Sequence, residues 1–150
     1  MAATRQTYAR QPLTVASVSL LFALIALTPM CGYLFGCGCT WPWMGLARDC
    51  NYFNPADPLH CPWCDYEGLG LAAVLLTGFA AIAGSLLPEF LRGDFKLESL
   101  RAPAPPRPIL IEIKEAALRL VSGVGFFLIT ALLFGWLTVW LTGYPKFLFY

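Results

Sequence analysis

Six cysteines in 150 residues hold most of the chemistry available to this chain. Cys37-Gly-Cys39, Cys50 and Cys61-Pro-Trp-Cys64 stand in one stretch, Cys31 shortly precedes it, and His60 and Asp65 flank the last pair. Covalent haem attachment needs C-x-x-C-H, with the histidine after the pair. Here His60 comes before it and Asp65 after it, so haem c is excluded. A metal site is a second chemistry. Cys37, Cys39, Cys61 and Cys64, with His60 or Cys50 as a substitute, have the number and softness for tetrahedral zinc or for copper(I). The C-x-C half is shorter than the C-x-x-C knuckle of a zinc ribbon. Thiol–disulfide exchange is a third, with Cys61 or Cys64 attacking and Cys37 or Cys39 relaying.

Structural bridging is the fourth, and it is the reading adopted from sequence. Cys31, Cys37, Cys39, Cys50, Cys61 and Cys64 are an even set that three bridges would use up. The stretch between 37 and 67 is rich in Pro, Gly, Asn and Asp, with little apolar material beyond Tyr52, Phe53, Leu59 and Trp63. A bridge closing a loop of this kind stabilises it by roughly 3 kcal/mol in the chain-entropy model. His60 is then a polar loop residue. Cys31 either pairs with a loop cysteine or sits as a small apolar residue in a helix. No cofactor is expected on this reading; zinc or copper belongs to the metal alternative.

The elements that must position these sulfurs follow from composition. Hydrophobic residues make up 58% and charged residues 13% of the chain, and mean hydropathy is +0.64. Soluble domains average about 25% charged residues. Three runs, 13–36, 68–88 and 120–144, contain no charge, and about 20 apolar residues suffice to cross a bilayer. The expectation is an all-α integral membrane protein with three transmembrane helices and a cysteine-rich loop between the first two. The first run follows Arg5 and Arg10, as a signal peptide would, but is too long for a signal core, so it is read as a retained helix.

The divisions expected are an arm at 1–12, helices at 13–36, 68–88 and 120–144, the cysteine loop at 37–67, a proline-rich loop with an amphipathic segment at 89–119, and an aromatic tail at 145–150. Eight of the ten lysines and arginines, namely Arg5, Arg10, Arg92, Lys96, Arg101, Arg107, Lys114 and Arg119, fall in the arm or the 89–119 loop. Basic residues mark the cytoplasmic side. The cysteine loop and the C-terminus are therefore expected outside, in a bacterial inner membrane, where thiols meet an oxidising compartment. A net charge of +1 without a basic face excludes nucleic-acid binding.

Trp41 and Trp43, and Trp136, Trp140, Tyr144, Phe147, Phe149 and Tyr150, are read as interface anchors. Pro29 is expected to kink the first helix. Ala73, Thr77, Ala81 and Ser85 form a row of small side chains that suits close packing, against this chain's other helices or a partner subunit. "RAPAPPRP" (101–108) is an extended spacer. Leu110, Ile113, Ala117 and Leu120 share one helical face, with Glu112, Glu115 and Arg119 elsewhere. The spans lack ionisable groups, which usually mark transport or proton paths. The function expected is therefore a small accessory subunit of a larger membrane complex of redox or respiratory kind. It is read as no enzyme, bound by lipid and other membrane subunits, with its loop docking on a partner. Metal binding or thiol oxidoreduction is the alternative.

Overall fold

A computed structural model describes residues 11–45, 50–53, 60–91 and 108–148. The proline-rich spacer through 107, most of the N-terminal arm, Leu59 and the last two aromatic residues lie outside the described residues. Three long helices dominate: α1 (Gln11–Phe35), α3 (Glu67–Leu91) and α4 (Ile109–Thr142). A single turn, α2 (Pro62–Asp65), and a 3₁₀ turn at Asn51–Phe53 lie in the loop between α1 and α3. All three long helices are long and apolar enough to cross a membrane. The protein is thus an all-α, three-span chain with its cysteines clustered between the first and second spans.

The helices form one bundle, with α3 packed most extensively on α4. Its interior is built from small side chains. Ala73, Thr77, Ala81 and Ser85 of α3 are each 1% exposed; Ala73 clusters with Ala131 of α4, and Ala81 with Phe127 of α4 and Ala23 and Ala26 of α1. The small-residue row is thus occupied by contacts within this chain. A methyl group on Gly84 would sit 2.8 Å from the Ser122 carbonyl oxygen, so the backbones approach as closely as they do only because that position has no side chain. Large apolar residues point outward instead: Leu21, Phe79, Leu133 and Trp140 are all well exposed. Such an inside-out distribution suits a lipid surround, in which the outer face needs no burial.

The amphipathic segment is continuous with the third span, so that helix begins at Ile109. Leu110, Ile113, Ala117 and Leu120 face outward, whereas Glu112 is buried and Arg119 lies 2.6 Å from Glu89 of α3. In a lipid setting the apolar face is the one that can be left outside, so the charged groups turn toward protein partners. Helix α1 runs on through Pro29.

Candidate functional site

The sulfurs meet at one end of the bundle. Cys31 lies in the last turns of α1. The chain then leaves the helix through two glycines in the left-handed region, Gly36 (φ +61°) and Gly38 (φ +73°). That conformation is open to glycine and strained for most other residues. It folds the segment back so that Cys37 and Cys39, like Cys31, are buried. The Cys39 carbonyl passes so close to Gly32 that a side chain there would collide with it.

On the other side, Cys61 caps α2, and the Cys64 and Asp65 amides both donate to its carbonyl, at 2.9 and 2.8 Å. A C-x-x-C pair wound on one turn in this way presents both sulfurs to the same neighbour. Trp63 fixes the turn against the bundle. Its ring packs edge-on to Phe35, with centroids 5.1 Å apart, and stacks on Phe134 at 6.0 Å. Its indole N–H donates to the Thr138 hydroxyl at 3.0 Å.

The resulting geometry sorts the six cysteines into two groups. Cys39 and Cys50 form a disulfide. Cys31, Cys37, Cys61 and Cys64 are unbridged, and of these only Cys64 is not fully buried. The sulfurs of Cys31, Cys37 and Cys61 lie within 4.8 Å of one another, as do those of Cys31, Cys39 and Cys64. The Cys31 and Cys37 sulfurs are 3.7 Å apart, and the Cys37 and Cys39 sulfurs 3.3 Å. Around zinc with bonds of about 2.3 Å, tetrahedral sulfurs stand about 3.8 Å apart. Three segments of chain have therefore brought the thiols of Cys31, Cys37 and Cys61 to about that spacing, with Cys64 beside Cys31.

Thiols this close must share protons unequally. Hydrogen bonds from Cys31 and then Cys61 hold Cys37 down at about 4, against the upward push of burial. The same two neighbours hold Cys64 down at about 3. Cys61 moves the other way. Its contact with Cys31 favours the thiolate, but donating to Cys37 and Cys64, together with burial, outweighs that. A donor to a neighbouring thiolate keeps its own proton. The cluster thus has thiolate character on Cys37 and Cys64.

Of the alternative metal set weighed from sequence, the structure brings Cys37 and Cys61 together around Cys31, and places Cys64 and Cys39 on Cys31 in a second group. It draws Cys39 into the bridge with Cys50 and adds Cys31. His60 points elsewhere: its Nδ1 lies 3.9 Å from Asp65 Oδ1, and neither sulfur group contains a histidine among the described residues. The part played by Cys31 was open in the sequence. The available signal was its spacing of six from Cys37 across Gly32, where the returning chain passes close, and Gly36, where it leaves the helix. Trp63, read as part of a small loop core, is instead buried against α1 and α4, whereas Tyr52 and Phe53 are about half exposed.

A chamber of about 360 Å³ adjoins the cluster between α1 and α3, with Cys31, Cys64 and the Cys39–Cys50 bridge in its wall. Compared with known families, curated proteins and solved structures, the chain matches none.

Proposed function

We propose that this protein is a small subunit of a larger membrane assembly, of redox or respiratory kind, and that its loop holds one soft metal ion on Cys31, Cys37, Cys61 and Cys64. The observation that supports the metal reading is the convergence of four unbridged sulfurs from three separate segments. Four cysteine ligands would suit zinc, and copper(I) is the other soft ion such ligands favour. The ion would cross-link the end of α1, the turn after it and α2. Buried sites of this type contribute to folding because the unfolded chain has no such array.

The subunit reading rests on what the membrane part offers. Among the described residues, charged groups occur only toward the ends of the long helices, so the middle of the bundle provides no path for ions or protons. The distribution of lysine and arginine supports an extracytoplasmic loop.

Metal analysis of the native protein, combined with thiol counting before and after reduction, tests the metal reading. One zinc per chain with a single Cys39–Cys50 bridge is the expected result. Three bridges and no metal would return the loop to plain stapling. Purification in mild detergent tests the subunit reading, since a lone, stable monomer with no companion chain would count against it. An impermeant thiol reagent applied to intact cells, after metal chelation and gentle reduction, should reach Cys64. Labelling confined to inverted vesicles would reverse the orientation.

A further inference from the structure

We infer that the chamber beside the sulfur cluster takes the ring of a lipid-soluble quinone, which oxidises Cys31 and Cys64 to a disulfide and so discharges the metal. This rests on the metal reading and adds its regulation. The chamber's size falls in the range of small-molecule sites. Its floor is apolar, with Leu27 and Val74 in the wall. Those residues lie about 10–12 Å along their helices from the sulfur end, at ~1.5 Å per residue, so the chamber runs from the cysteine loop into the apolar part of the spans. Tyr52 and Trp63 supply aromatic surface. A saturated acyl chain would fill the apolar part equally well. Only a two-electron acceptor makes use of the sulfurs, and Cys31 and Cys64 both line the chamber with their sulfur atoms within 4.8 Å of each other.

The step balances. Two metal–sulfur bonds break and one sulfur–sulfur bond forms. The Cys31 and Cys64 thiolates together lose two electrons. The quinone takes those electrons and two protons from water, leaving as the quinol. Cys37 and Cys61 remain as two ligands, too few to retain zinc in a closed tetrahedral site.

The test uses the zinc-loaded protein in detergent, without oxygen, mixed with a decyl-substituted quinone. Zinc release is followed with a chromogenic chelator, quinol by its absorbance, and the bridges by mass spectrometry. One zinc and one quinol per chain should appear together with a Cys31–Cys64 bridge. Val74→Trp, which fills the chamber from the α3 side, should slow release by quinone about tenfold, the scale on which pocket contacts discriminate, and leave release by hydrogen peroxide unchanged. Leu27→Phe does the same from α1 if Val74→Trp fails to take up zinc. Zinc retained in the presence of quinone, release without that bridge, or equal quinone rates in the filled-chamber variant would overturn the inference while leaving the metal reading intact. A chain that binds no zinc at the outset overturns the metal reading, and the discharge with it.

Discussion

At the sulfur end of the bundle, α1, α2 and α4 are held by clustered thiols, an indole hydrogen bond and aromatic contacts, beside a loop closed by the Cys39–Cys50 disulfide. At the opposite end, the Arg119–Glu89 ion pair ties α3 to α4. Between the two ends the helices meet through alanine, glycine, serine and threonine. The difference shows where one arrangement must be specified and where lipid suffices. Small residues allow close approach but do little to enforce it, because lipid tails compete on nearly equal terms. Specific chemistry is concentrated at the end where a polar loop has to be held still.

Replacing a buried member of the thiol group should have the largest effect. Cys61→Ser should weaken zinc binding by more than ~100-fold, since even the outer partners of metal ligands are worth about 10–100-fold. Competition with a chelator measures this; unchanged affinity would remove Cys61 from the site. Cys50→Ser removes only the bridge, which spans 11 residues. It should cost about 3 kcal/mol by the loop-closure argument while zinc is retained, and denaturant unfolding with metal analysis on the same sample separates the two effects. Equal loss of zinc in the two variants would dissolve the distinction between the cysteine groups.

The opposite end should be less sensitive. Arg119→Gln leaves Glu89 without its partner, and both groups are mostly covered, at 11% and 18% exposed. The expected cost is about 1–2 kcal/mol, below the roughly 3–5 of a fully interior pair because this helix end lies near water. Adding Glu89→Gln should restore part of it, and a double-mutant cycle reads the coupling directly. Trp63→Phe keeps the ring contacts and deletes the indole donor. It should cost about 1 kcal/mol, because the Thr138 hydroxyl still donates to the Phe134 carbonyl. A loss larger than that of Arg119→Gln would make the indole contact, and not the sulfurs, the main organiser of the loop.

The three spans were legible because charge-free length is a local property, written in consecutive residues. The row from Ala73 to Ser85 was legible as a packing face for the same reason. The apolar face of Leu110, Ile113, Ala117 and Leu120 was legible by its period, although periodicity alone marks a face without saying whether protein or lipid lies against it. The disulfide and the thiol group were legible only as a set of six. Which sulfurs pair depends on how Gly36 and Gly38 reverse the chain and how Trp63 seats α2, both of which depend on contacts distant in sequence. His60 drew attention through its position next to Cys61. In the structure it leans toward Asp65, because adjacent residues at the start of a turn point in different directions.

The segment after α4 returns to the first span. The Leu148 amide donates to the Leu34 carbonyl at 2.7 Å, and the Tyr144 hydroxyl donates to the Phe35 carbonyl at 3.4 Å. The polypeptide path is thereby closed into a ring, with its seam one helical turn from Cys31. Tension applied beyond residue 148 would reach that seam before it reached the interior of the bundle. A fluorescent or affinity fusion placed there would tug on the end of the first span, whereas one placed ahead of residue 11 would leave the seam unloaded.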